Sequence, residues 1–200
     1  MSGDGDFYMK VIFATGNENK LREIRQITAD MDIEIVSMKD AGCYADVEET
    51  GTTFEENAYL KASAIAKKCG LPTLADDSGL EIDYLDKAPG IYSARFLGHD
   101  TPYSEKNRQI LETLEGVPDD KRTARFVCAI SAVLADGREY VVRATMEGII
   151  GHEIAGENGF GYDPIFFLPE YGKTSAELSP EEKNAISHRG KALRMMREKL

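Results

Sequence analysis

Two acids, a hydroxyl and a glycine stand together at Asp76-Asp77-Ser78-Gly79, directly after the apolar pair Leu74-Ala75. Adjacent carboxylates repel unless positive charge sits between or beside them, and an all-oxygen donor set suits a hard cation such as Mg²⁺ or Mn²⁺. The chemistry on offer is activation of water at a metal. A second acidic pair, Glu48-Glu49, precedes Thr50-Gly51 and could complete the ligand set. A buried strand that ends abruptly at such residues is where open α/β sheets place their chemistry. The same residues also suit a plain turn, because Asp, Ser and Gly all favour turns. Glu48 and Glu49 could equally do no more than complement a helix dipole.

Three stretches could handle phosphate. Thr15-Gly16-Asn17-Glu18-Asn19-Lys20 follows the apolar run that starts at Lys10, and Leu21, Ile24 and Ile27 then recur at helical spacing. A strand, a short loop and a helix start aim backbone N–H groups and a positive dipole end at one spot, to which Lys20 adds a charge. The Walker A spacing is absent, and a connection capped by Asn17 needs no ligand. Lys61 falls four residues after Asn57 on a helix starting at the capping box Thr53–Glu56, off the apolar stripe Phe54, Ala58, Ala62, Ile65 and Cys69. If that face looks into a cleft, Lys61 reaches a phosphate or a metal-bound water. Arg95 could clamp a phosphate bidentately, or pack between its aromatic neighbours.

A planar ring has its own candidates. Gly156 to Pro164 is too glycine-rich for a regular element, yet carries Phe160, Gly161, Tyr162 and Asp163. Rigid aromatics on such a loop suit stacking on a base, unless they plug the core instead. Ser179-Pro180-Glu181-Glu182 starts another helix, on which Lys183 precedes Ser187-His188-Arg189-Gly190. His188 and Arg189 offer several donors to ring carbonyls or phosphates.

The elements that must position these residues form one α/β domain over residues 10–200, with a mixed sheet flanked by helices and two lobes around a cleft. Residues 1–9 form a short acidic extension expected to be flexible. Asp136-Gly137 between two β-rich runs, Ala124–Leu134 and Arg138–Thr145, signals a hairpin that Met146–Ile154 extends, and Ser104 is expected to cap a helix running to Gly116. At 200 residues and 42% hydrophobic content the chain can bury a sizeable core. Its net charge of -11 argues against nucleic acid or an anionic membrane as partner. Cys43, Cys69 and Cys128 are odd in number and lack C-x-x-C spacing, so all three are expected to be reduced, in a cytoplasmic protein.

Taken together, Thr15-Gly-Asn17, Glu48-Glu49-Thr-Gly51, Asp76-Asp77-Ser78-Gly79, Ala88-Pro-Gly-Ile-Tyr-Ser-Ala-Arg95, Gly159-Phe-Gly-Tyr-Asp-Pro164 and Ser187-His-Arg-Gly190 closely resemble one family. It is the inosine triphosphate pyrophosphatase (dITP/XTP pyrophosphatase) family in its bacterial form, and the blocks occur in family order over nearly the whole chain. The resemblance implies an elongated α/β fold and Mg²⁺-dependent hydrolysis of dITP, ITP and XTP to the monophosphate and pyrophosphate. It also implies a homodimer. Carried over by position, Thr15 to Lys20 hold the triphosphate, Ser78 contacts substrate, and Asp77 is proton acceptor and metal ligand with Glu48 or Glu49. Phe160 to Asp163, Lys183, His188 and Arg189 match the purine and substrate contacts. Glu157-Asn158, where the family is commonly glycine-rich, is a departure.

Overall fold

The protein is described by a computed structural model covering residues 9–200; the rest of the expected flexible extension, residues 1–8, lies outside the described residues. Strand β1 (Met9–Phe13) leads to helix α1 (Glu18–Ile27) and β2 (Ile33–Ser37), and a long irregular segment then reaches α2 (Phe54–Cys69). After β3 (Thr73–Ile82) come α3 (Tyr103–Thr113), the hairpin β4 (Thr123–Val133) and β5 (Glu139–Ile150), the short β6 (Phe166–Leu168) and β7 (Lys173–Thr174), and finally α4 (Pro180–Ile186) and α5 (His188–Arg197). Among the described residues the strands form one sheet of order β2-β1-β3-β4-β5-β6-β7. Its β2-β1-β3 part is parallel and the remainder antiparallel, the mixed sheet expected.

Alternation along β1 puts Val11 and Phe13 against Leu21, Ile24 and Ile27 of α1 and Leu193 of α5, while Ile12 packs against Ala62 and Ile65 of α2 on the other face. β3 is the strand that matters most. It does not end at the acids: the apolar run and the following alternating run are one ten-residue strand, paired residue for residue with β4 from Thr73↔Val133 to Ile82↔Ala124. The even-numbered side chains Leu74, Asp76, Ser78, Leu80 and Ile82 share one face. Leu74 belongs to the core beneath α1 and α5, whereas Leu80 and Ile82 belong to a second core with Phe126, Ile165 and Phe166. Asp76 and Ser78 fall between the two cores, and the lobes part there.

Local signals explain most helix ends. Asn17 caps α1, and Ser179 with Glu182 forms a complete capping box at α4. At α2, Thr53 Oγ1 accepts from the Glu56 amide, but the Glu56 carboxylate reaches Thr52 instead of closing the box on Thr53. Helix α3 starts at Tyr103, one residue before the expected cap, because extended Pro102 takes the N-cap place. β5 stops at Ile150, short of Ile154. The cysteine expectation is corrected: Cys43 and Cys69 are disulfide-bonded, with Cα atoms 5.9 Å apart. The irregular segment folds back on the end of α2, and this bond depends on proximity in space rather than on sequence spacing. Cys128 alone stays free, buried in β4.

Candidate active site

The opening loop offers less backbone than its sequence promises. Asn17 Oδ1 accepts from the amides of Asn19 (3.0 Å) and Lys20 (3.2 Å), and the Asn17 amide donates to Thr15 Oγ1 (3.1 Å). Those donors serve the helix itself, so the loop presents chiefly the dipole and the Lys20 ammonium. Gly16 borders open space: a Cβ built there would meet nothing within 4 Å. Lys20 Nζ lies 3.0 Å from Asp76 Oδ2.

The two acids of β3 point to opposite faces and meet opposite fates. Asp76, fully buried, is also met by Arg189 at 3.3 Å, and Arg189 donates to Ser78 Oγ at 3.0 Å. Burial alone would raise the Asp76 pKa, but Lys20, Arg189 and Lys61 outweigh it and hold this carboxyl far below its ordinary range. On the other face Asp77 Oδ2 accepts from Asn57 Nδ2 (3.2 Å), and Lys61 Nζ stands 3.9 Å from Oδ1. Burial dominates here, and the neighbouring charges of Glu49 and Asp76 add to it against Lys61 and Lys20, so the Asp77 pKa is raised to about 6. Lys61 also binds Glu49 at 2.5 Å; despite its burial, these acids together raise its pKa. Gly79 admits no side chain, since a Cβ would come within 2.3 Å of the Gly90 carbonyl.

At the other end, Phe160 is half-buried, with Lys183 Nζ 5.2 Å and the Arg189 guanidinium 5.8 Å from its ring centroid. Tyr162 differs. Its ring is buried in the second core, edge-on to Tyr103, with its hydroxyl donating to the Ser93 carbonyl at 2.7 Å. Gly161, whose carbonyl accepts from Asn107 at 3.0 Å, and Asp163 complete the loop; Asp163 accepts from Lys183 (2.6 Å), Ser175 (2.7 Å) and the Phe160 amide (2.9 Å). His188 stacks on Phe126 at 5.0 Å, and its buried Nδ1 has no partner. Burial first, then Arg189 and Lys183, keep this imidazole neutral by lowering its pKa well below the usual value.

Two cavities join these groups. One of about 270 Å³ is lined by Asp77, Ser78, Phe160, Asp163, His188 and Arg189; the other, about 730 Å³, by Thr15, Gly16, Glu48, Glu49 and Lys61. Asn17, Lys20, Glu49, Ala94, Arg95 and His99 border both. Glu18 lies outside them, beside an adjoining hollow near Arg25 and Lys39. Among the described residues no three of His, Cys, Asp and Glu group closely enough to hold a metal. Glu49 and Asp77 nevertheless fit Mg²⁺, which keeps several waters and takes one or two carboxylates plus phosphate oxygens rather than an all-protein cage.

The sequence model of the Ham1 family matches residues 11–199. The chain belongs to the Ham1 family. It is 47% identical over 197 residues to a dITP/XTP pyrophosphatase of Clostridium perfringens, covering 96% of this chain and 97% of that one. A protein of the same name from Shigella flexneri is 50% identical over 193 residues, with 96% and 98% covered. Among solved structures, a HAM1 protein from Coxiella burnetii superposes with a TM-score of 0.85 at 42% identity, covering 95% of this chain and 97% of that one. A Mycobacterium abscessus nucleoside-triphosphatase / dITP/XTP pyrophosphatase gives 0.74 at 43%, covering 94% and 98%.

In this Ham1 chain sequence reasoning overlooked Glu23, whose carboxylate binds Lys183 at 2.7 Å and Arg189 at 2.5 Å. Its one sequence signal is its place on the first helix, three residues after Lys20. Asn57, which the sequence marks only as a helix-face neighbour of Lys61, is fully buried and bridges Asp77 to the Gly51 amide at 2.8 Å.

Proposed function

We propose that this Ham1-family chain hydrolyses dITP, ITP and XTP to the nucleoside monophosphate and pyrophosphate. One observation carries the reading: Asp77, Glu49 and Lys61 share joined cavities with an aromatic, a neutral imidazole and an arginine that suit a purine ring. The names borne by its relatives point the same way. Asp77 and Glu49, with Glu48 beside them, are the residues that would hold Mg²⁺ or Mn²⁺; a bound ion of this kind neutralises phosphate charge and lowers the pKa of a coordinated water. Asp77, on the wall of the smaller cavity, accepts the proton of the water that attacks the α-phosphorus. Lys61 stays protonated and, with Lys20, faces the charge that spreads over the phosphoryl oxygens. At the base end Lys183, His188 and Arg189 present donors, which suits the 6-keto group of hypoxanthine or xanthine and leaves donors unpaired against the 6-amino group of adenine.

No helix among the described residues is long and apolar enough to cross a membrane; a cytoplasmic homodimer is part of the same proposal. Pyrophosphate release is to be measured with ITP, dITP, XTP, GTP, ATP and dUTP, with Mg²⁺ and with chelator. Release confined to the first three and abolished by chelator supports the reading. Preference for dUTP, or tight ITP binding without turnover at any Mg²⁺ concentration, refutes it.

A further inference from the structure

Four cations bordering the two cavities are each matched by an internal acid: Lys20 by Asp76 at 3.0 Å, Lys61 by Glu49 at 2.5 Å, Lys183 by Asp163 at 2.6 Å and Arg189 by Glu23 at 2.5 Å. Arg95 is not. It borders both cavities, its side chain is 42% exposed, and its only ion pair among the described residues is a loose one to Glu49 at 3.9 Å. That separation lies outside hydrogen-bonding range. The guanidinium stands 5.0 Å from the Tyr92 ring centroid, a contact that steadies it while using none of its five N–H donors.

The backbone beneath it is held firmly. Ser93 Oγ accepts from the Leu80 amide of β3 at 2.8 Å, and the Ser93 carbonyl accepts from Tyr162 at 2.7 Å. The next carbonyl, of Ala94, accepts from buried Lys106 Nζ at 2.6 Å, and the Arg95 amide donates to Tyr92 at 3.0 Å. The turn is thus fixed to the strand carrying Asp77 and to the loop carrying Phe160, while its arginine keeps its donors free. In a chain of net charge -11, an unmatched cation where two cavities meet suits a polyanion that passes from one to the other.

We infer that Arg95 is a further phosphate-binding residue, placing a bidentate guanidinium on the triphosphate where the base and phosphate cavities join. This rests on the triphosphate reading above. The test compares wild type, Arg95→Ala and Arg95→Lys for KM and kcat with ITP, and for competitive inhibition by pyrophosphate and by inosine, which has no phosphate. Arg95→Ala raises the KM for ITP and the inhibition constant of pyrophosphate by about 10- to 100-fold, the range of a lost charged hydrogen bond, and leaves inosine inhibition within about twofold. Arg95→Lys recovers only part, because an ammonium cannot pair two oxygens in a fork. Unchanged pyrophosphate inhibition overturns the inference, and so does equal weakening of inosine and pyrophosphate, which marks a residue that merely supports its turn. Should Arg95→Ala not fold, the pyrophosphate constant of Arg95→Lys decides by the same criterion. Wild type that releases no pyrophosphate from ITP refutes the substrate reading itself, whereas active wild type with an unaffected variant refutes only the role of Arg95.

Discussion

The two faces of β3 carry the same kind of residue and treat it in opposite ways. On the Asp76 face, Glu23, Asp76 and Asp163 interlock with Lys20, Lys183 and Arg189, so three acids, two of them buried, meet three cations and the cluster is neutral. On the Asp77 face, Asp77 and Glu49 share Lys61, with Arg95 at a distance. A matched network fixes its donors before a ligand arrives and has little to reorganise. Two carboxylates that share one ammonium leave a negative charge over, which suits a cation or a proton. Period-two alternation alone sorts adjacent residues into these two roles.

Substituting each acid in turn is the strongest way to break the comparison. Asp77→Asn removes the proposed proton acceptor and metal-binding carboxylate: turnover of ITP falls by about 10³-fold or more while ITP binding changes little. Single-turnover kinetics with equilibrium binding measures both. Asp76→Asn does the reverse. It leaves Lys20 and Arg189 facing a neutral amide in a buried site, a loss of about 3–5 kcal/mol read from denaturant unfolding. Equal effects of the two substitutions on stability would erase the distinction between the faces.

Much of this arrangement was legible in the sequence. Asn17, the Ser179 capping box, the Asp136-Gly137 hairpin and the stripe on α2 are local signals, and the structure reproduces them because neighbouring residues settle those geometries. What stayed hidden depends on partners far along the chain. Glu23 looks like a surface acid on an amphipathic helix; only the packing of α4 and α5, with Lys183 and Arg189 160 and 166 residues away, encloses it. Tyr162 and Phe160 are alike as loop aromatics, and the second core claims one of them. The acids read as the end of a strand because polar residues normally stop one, yet β4 pairs with β3 straight through them. The Cys43–Cys69 bond was invisible for the same reason.

The pH dependence of stability sharpens the same contrast. Asp77 has a folded pKa of about 6 against 3.8 for an unperturbed aspartate. Between these values the folded protein holds more protons than the unfolded chain, so the Asp77 charge lowers stability as pH rises through the window, with the full cost present above about 6. The difference corresponds to about 3 kcal/mol at most. Asp77→Asn therefore raises Tm in chelator at pH 8, and the gain disappears near pH 4. Asp76 behaves oppositely: its depressed pKa contributes stability above the unperturbed value, and that contribution is lost as pH falls below it. A gain from Asp77→Asn that is independent of pH would show that its carboxyl is not perturbed in the folded state.

The smallest effect separates two neighbours on the acidic segment. Glu49 borders both cavities and is bonded to Lys61, whereas Glu48 is exposed and borders only the larger one. Asp77 borders only the smaller cavity, and of the pair Glu49 alone borders it too, so a cation shared with Asp77 would be held by Glu49 rather than Glu48. Glu49→Gln should raise the Mg²⁺ concentration for half-maximal activity by about tenfold, within the range expected when a charged partner is lost, and Glu48→Gln by less than about threefold. Titrating activity with Mg²⁺ at saturating ITP checks both variants. Because Glu49 also holds Lys61, some of its effect could arise from freeing that ammonium; Lys61→Met, which removes the ammonium while Glu49 stays, separates the two. A Lys61→Met variant that lowers kcat without shifting the Mg²⁺ midpoint leaves the cation to Glu49 and Asp77. A midpoint that moves as far in Glu48→Gln as in Glu49→Gln would place the cation in the larger cavity instead, away from the face of β3 that Asp77 occupies.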